Sequence, residues 1–222
     1  MSIPAQSPKA TTARAFTVTE LLITIACIAL VAAIFLPALA KSKARSSRLG
    51  CVNCMKQIGL AFRTWSIDND DRLPMQVSVA NGGTMELVAN GVVYPHFQVM
   101  SNELSTPKIL LCPNDEKRSY ATNFAVGLTD RNLSYFLNMD ATNDAGSSLL
   151  SGDRNITNRA LAGSRLVPLT KADTIAWTKE IHFEKGYLGF GDGRVELDPI
   201  SNGSVGAAIK IGDGTTNWLA VP

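Results

Sequence analysis

Apolar residues gather first in one unbroken stretch near the start of the chain: from Leu21 to Ala40, twenty residues pass without a charge. At about 1.5 Å per residue, a helix of that length spans roughly 30 Å, the thickness of a bilayer's hydrocarbon core. Lys41, Lys43, Arg45 and Arg48 then close the run as a stop-transfer cluster would. A secretory signal peptide has a shorter apolar middle, about 7–15 residues, and ends at a small-x-small site. Beyond the basic cluster, Val52, Met55, Ile58, Gly59, Phe62 and Trp65 recur at steps of three or four, with Asn53, Lys56, Gln57 and Arg63 between them. The pattern predicts one long helix from about Thr17 to Ile67, membrane-spanning over 16–40 and amphipathic over 41–67. Pro37 cannot donate to the carbonyl of Ala33 and is expected to kink it. Asp68-Asn69-Asp70-Asp71 and Pro74 end it.

From Leu73 onward the helical period fades and turn residues take over: Asn81-Gly82-Gly83, Asn90-Gly91, Pro95. Thr84–Ala89 reads as a short helix or strand. Strands are expected at Lys108–Cys112, Leu133–Met139, Ser147–Ser151 and Thr174–Trp177, and a short helix at Ile200–Ile209. The clearest hairpin runs from Tyr187–Phe190 through Gly191-Asp192-Gly193 to Arg194–Leu197, because Asp-Gly between apolar runs favours a tight reversal. The domain over 68–222 is therefore expected to be α+β, a spine helix packed on a small, mostly antiparallel sheet.

Composition narrows the function. Twenty-one basic residues stand against 19 acidic ones. Without Lys9 and Arg14 of the first fifteen residues the two are equal, which gives no reason to expect a nucleic-acid partner. Glu20 is the informative charge, because a carboxylate at the edge of an apolar run is costly unless partnered. Thr17-x-x-Glu20 has the form of a capping box, which is one partner for it.

The stretch Ala15-Phe16-Thr17-x-x-Glu20-Leu21-Leu22 also resembles the processing site of type IV prepilins and type II secretion pseudopilins. The resemblance implies a leader over 1–15, cut by a prepilin peptidase between Ala15 and Phe16, with methylation of the new amino terminus. It makes Glu20 the partner of a neighbouring subunit's terminal amine during assembly, and places Pro37 where such proteins commonly kink. Ala15 stands where the family usually has Gly. The implied partners are further copies of the chain, other pseudopilins, the peptidase, an inner-membrane assembly platform and lipid. The implied fold is pilin-like, nearest the G-type pseudopilins. Orientation is contested, because two basic residues precede the span and four follow it. The positive-inside tendency would keep the domain in the cytoplasm. The processing site requires it outside, in the periplasm, and is the more specific signal.

His182, nine intervening residues and Asp192-Gly193 are similar to the H-x9-D-G signature of a large bacterial family of pilin-like proteins. Cys112-Pro113-x-Asp115, Ser134-Tyr135-x-x-Asn138 and the Asn53–Phe62 stretch look like that family too. On the residues alone, His182 and Asp192 are expected to hydrogen-bond and pin the hairpin; a catalytic or metal role is the alternative. No Gly-x-Ser-x-Gly elbow accompanies them, and the chain is not expected to be an enzyme. Cys51 and Cys54 have a C-x-x-C spacing, but a zinc site would need two more ligands, with only Cys112 and the histidines remaining. Outside the cytoplasm, a disulfide from Cys51 or Cys54 to Cys112 competes with free buried thiols. Cys27 is an apolar residue of the span. Asp68, Asp70 and Asp71, and again Asp140, Asp144 and Asp153, cluster in sequence and would suit calcium, yet no twelve-residue calcium loop is present. No cofactor is expected. Two other readings remain: a membrane-anchored binding module that never polymerises, and an extracytoplasmic enzyme using His182 and Asp192.

Overall fold

The computed structural model describes residues 16–143, 148–157, 165–170, 176–197 and 216–222. Two units, Met1–Arg45 and Ser46–Pro222, divide the chain, and the boundary falls within the first helix, α1 (Val18–Ile67). In the first unit, Val18–Leu36 is long and apolar enough to cross a membrane, and none of that window is buried. A signal sequence would meet the same test of length and composition. Thr17 and Glu20 close the expected capping box: the Thr17 N–H donates to Glu20 Oε2 at 2.9 Å, and the Glu20 N–H to Thr17 Oγ1 at 3.3 Å. Pro37 falls within α1; its side chain and the kink expected there lie outside the described residues, as does Ala15.

In the second unit, the amphipathic part of α1 buries Cys51, Met55, Ile58, Ala61, Phe62 and Trp65, the face the three-and-four spacing marks out. It ends where expected. Asp70 and Asp71 take positive φ, and the Asp71 N–H closes back on the Ser66 carbonyl at 2.9 Å. Turns and short helices follow, among them a 3-10 helix at Met85–Asn90, then α2 (Tyr94–Gln98) and α3 (Ser101–Leu104). The strand expected at Lys108–Cys112 is instead a 3-10 turn, Pro107–Leu110. Pro107 at its first position presets the turn φ, and the Thr106 hydroxyl caps the Lys108 N–H.

Among the described residues eight short strands follow: β1 (Tyr135–Asn138), β2 (Leu149–Asp153), β3 (Ile156–Thr157), β4 (Leu166–Thr170), β5 (Ala176–Trp177), β6 (Tyr187–Phe190), β7 (Val195–Leu197) and β8 (Thr216–Ala220). Six form a sheet in the order β4-β8-β1-β2-β6-β7, and β3 pairs with β5; every described pairing is antiparallel. The chain is thus α+β with an antiparallel sheet, as expected. Strands β3, β4 and β8 have no counterpart in the sequence reading; within β4, Pro168 argues against a strand. The expected Ile200–Ile209 helix lies outside the described residues.

Both sheet faces are covered. Tyr135 and Leu137 join the core shared with α1, while the alternate Phe136 joins Leu149, Val167, Leu169, Trp177, Leu188 and Phe190 on the other side. That is why all four residues of β1 are buried, and why its sequence lacks the alternation of a half-exposed strand. The β6–β7 reversal is the expected one, with Gly193 at φ 82° and the Phe190 N–H bonded to the Arg194 carbonyl at 2.9 Å.

Candidate functional site

Register brings the site together. Tyr135 lies directly opposite Asp153 across the β1–β2 ladder. Residues paired this way share a face, and here it is the face on which α1 places Cys51. Cys112 arrives from the segment after the Pro107 turn, and His182 from the connection between β5 and β6. Four ligand-type atoms, from Cys51, Cys112, Asp153 and His182, then lie within 4.8 Å of one another, and all four residues are buried.

His182 Nε2 is the hub. It stands 3.4 Å from Cys112 Sγ, 3.4 Å from Cys51 Sγ and 3.4 Å from Asp153 Oδ2. Cys51 Sγ is in turn 3.5 Å from Asp153 Oδ1 and 3.6 Å from the Tyr135 hydroxyl. The Tyr187 N–H donates to Asp153 Oδ2 at 2.8 Å. On the far side of the imidazole, Nδ1 is 3.3 Å from the Asn114 side-chain amide, and the Tyr187 ring stands edge-on at 5.1 Å. Phe183 and Glu184, which follow His182, both take positive φ, 54° and 64°. Left-handed backbone in non-glycine residues persists only where its surroundings hold it. Here it turns the chain sharply just after the histidine.

Charge inside the cluster is shared unevenly. The hydrogen bond from Cys51 holds the Cys112 thiol down at about 6 despite burial, with His182 assisting. The Cys51 thiol, which supplies that hydrogen, is pushed up. Burial lifts the Asp153 carboxyl to about 7. For His182, burial favours the neutral ring, but Cys112 and Asp153 outweigh it and raise the pKa. The group thus offers a thiolate, a second sulfur, an imidazole and a carboxylate to one point. Cys112 is only 1% exposed, so as folded its sulfur is closed to a substrate.

An ion network rivets the same three segments. Arg154 forks onto Asp115 with two contacts of 2.7 Å and reaches Glu180 at 2.9 Å; Lys117 meets Glu180 at 2.6 Å, and the Ser134 hydroxyl donates to Asp115 at 2.8 Å. Cys112 and Asp115, Asp153 and Arg154, and His182 and Glu180 each put one residue into the cluster and one into the network. The motif residues Cys112, Asp115, Ser134 and Tyr135 therefore converge here, and Asn138 of the same motif bonds the Leu149 carbonyl at 2.8 Å.

Several expectations need correction. His182 does not bond Asp192. The Asp192 carboxylate accepts from the Arg194 N–H at 2.9 Å and faces its guanidinium at 3.4 Å, within the turn itself. Gly193 lies instead beside Gly59 of α1. Of the two alternatives left open for Cys51, Cys54 and Cys112, the structure has free thiols, and of the helical pair only Cys51 enters the cluster. Among the described residues, the acidic groups are engaged separately rather than gathered at one point. Asp70 pairs with Arg72 at 3.0 Å, Asp71 accepts from Asn143 at 3.4 Å, and Asp68 is exposed. Asp140 accepts the Trp218 N–H at 2.7 Å, and Asp144 lies outside the described residues. Sequence reasoning missed Arg154 and Asn114 as site residues, and weighed Asp153 only with Asp140 and Asp144 for calcium, not with His182 and the cysteines. The one available signal was a carboxylate closing the otherwise uncharged run Leu149-Leu150-Ser151-Gly152. Compared with protein-family models, curated proteins and solved structures, the chain matches none of them.

Proposed function

We propose that the chain is a pilin-like subunit: anchored in a bacterial inner membrane by α1, cut between Ala15 and Phe16 and N-methylated by a prepilin peptidase, and built to polymerise with its head in the periplasm. The observation that supports this reading best is an uncovered apolar span, Val18–Leu36, whose only ionisable groups are Glu20 at its first turn and the Cys27 thiol, in a helix whose other half belongs to an α+β unit. Such a span must find lipid or other helices to cover it. In a filament, neighbouring spans would cover one another, and Glu20 would accept the Phe16 amine of the next copy at low dielectric, where a charge-assisted hydrogen bond is strong. The filament would serve a type II secretion pseudopilus or a type IV pilus-like fibre.

In the isolated chain Glu20 is already occupied by Thr17. That capping box is also what a simple anchor carrying a non-polymerising binding module would have. Intact-mass and N-terminal analysis of the protein extracted from membranes, together with Glu20→Ala, separates the two. A chain beginning at N-methyl-Phe16, with fibre assembly lost in Glu20→Ala while the protein stays in the membrane, supports the subunit. A chain that keeps its first fifteen residues in a peptidase-competent cell overturns it.

A further inference from the structure

We propose that Cys51, Cys112, Asp153 and His182 form a structural zinc site that locks α1 to the sheet of the second unit. The geometry around His182 Nε2 points to it. Three heteroatoms, two sulfurs and a carboxylate oxygen, each stand 3.4 Å from this one nitrogen. An imidazole nitrogen has a single hydrogen or a single lone pair, so it can satisfy one of them at most. A cation at the centre of the group satisfies all four at once. With Zn–S near 2.3 Å and Zn–N or Zn–O near 2.0–2.1 Å, neighbouring ligands of a tetrahedral site sit about 3.3–3.8 Å apart. The contacts from Nε2 to each sulfur and to Asp153 Oδ2, all at 3.4 Å, fall in that range, and all four ligand atoms lie within 4.8 Å of one another.

Ligand chemistry selects the metal. Two sulfurs exclude calcium and magnesium, and a tetrahedral set of sulfur, nitrogen and oxygen suits zinc. Four protein ligands leave no open coordination position, and all four residues are buried, so the role is structural rather than catalytic. Binding needs both sulfurs as thiolates and His182 neutral with Nε2 unprotonated, and whatever protons these groups carry leave to solvent. Outer contacts suited to the ligands are present. The Asn114 amide nitrogen stands 3.3 Å from Nδ1, and turning that amide over would set its oxygen to accept the remaining ring hydrogen; the Tyr135 hydroxyl reaches Cys51; and the Tyr187 N–H holds Asp153. The Asp115–Arg154–Glu180 network fixes the three segments that bring Cys112, Asp153 and His182, so the site is ordered before the metal enters. The inference is independent of the filament reading, since every ligand belongs to the second unit.

The experiment uses the full chain in detergent, stripped with chelator under reducing conditions and then titrated with Zn2+ or Co2+. The expected result is one metal ion per chain, with Co2+ giving the visible bands of tetrahedral cobalt and a thiolate-to-cobalt charge-transfer band. Cys112→Ser and His182→Gln should lose both signals, whereas Cys54→Ser keeps them. If those variants fail to fold, alkylation of the unaltered chain decides. Zinc should shield Cys51 and Cys112 at least tenfold while Cys54 reacts at its own rate, and chelator should abolish the shielding. Two outcomes overturn the proposal. One is a Cys51–Cys112 disulfide in protein isolated without reductant, seen as thiols that alkylate only after reduction. The other is cobalt that gives no charge-transfer band and metal that gives no protection.

Discussion

His182 Nε2 lies 3.4 Å from the carboxylate of Asp153, a buried residue at the end of β2, whereas Asp192 in the following hairpin is bound within its own turn by Arg194. The two aspartates therefore carry different weights. In chelator, Asp153→Ala should destabilise the folded head by about 2 kcal/mol or more, because it strips a partner from the Tyr187 N–H and His182 and leaves a void. Asp192→Ala, at an exposed turn, should cost under about 1 kcal/mol. Denaturant midpoints of the two variants side by side check the difference; equal losses would mean that His182 depends on the hairpin after all.

Arg154 neutralises Asp115, whose side chain is fully buried beside it. Replacing the arginine with methionine keeps most of the packing but strands a carboxylate in the interior. Removal of one partner from a buried ion pair costs about 3–5 kcal/mol. Arg154→Met should lose stability on that scale, and Asp115→Asn in the same background should recover part of it. A double-mutant cycle read by chemical denaturation measures the coupling.

His96 supplies a pH dependence of known sign. Its ring is fully buried, Nδ1 lies 2.6 Å from the Thr84 hydroxyl, and Nε2 has no hydrogen-bond partner. Burial drives its pKa from 6.5 down to about 4. As pH falls below about 6.5, the unfolded chain takes up a proton that the folded chain refuses. Stability should therefore drop between pH 6.5 and pH 4, by about 3 kcal/mol from this group, and level off below. His96→Gln should flatten that part of the profile, with the difference between the two profiles isolating the histidine.

Gly186 precedes β6 where the Trp177 ring crosses the backbone. A Cβ at this position would lie 2.2 Å from the ring. Gly186→Ala must push the indole aside, an overpacking that costs about 1–3 kcal/mol. A lowered melting temperature should be accompanied by a shift in tryptophan fluorescence, and a variant as stable as the parent would show that the indole has room to move.

Much of the fold is legible before any coordinates. Local signals decide it: an uncharged run of twenty residues, a three-and-four apolar spacing from Val52 to Trp65, an Asp-rich stop at Asp68–Asp71, and an Asp-Gly reversal at Asp192-Gly193. Each depends on neighbours within a turn or two, so each can be read from the order of residues. The α+β class follows from the same signals. Strands β4 and β8 escape because their pairing, with each other and of β8 with β1, joins segments far apart in sequence and outweighs the discouragement of Pro168.

The site lies at the other extreme. Asp192 looked like the partner of His182 because it is near in sequence and falls in a recognisable motif, and Cys54 looked equivalent to Cys51. Three-dimensional placement separated both pairs. One turn of helix aims Cys51 into the core and leaves Cys54 only partly covered, while antiparallel register carries Asp153 to the face opposite Cys51. The order of residues by itself determined the long first helix, the Asp-Gly hairpin and where a run apolar enough to cross a membrane begins. Which cysteine, carboxylate and imidazole meet was decided only by the sheet closing on the helix, because contacts between residues 84 to 131 positions apart, as in Cys51 with Tyr135, Asp153 and His182, have no local signature.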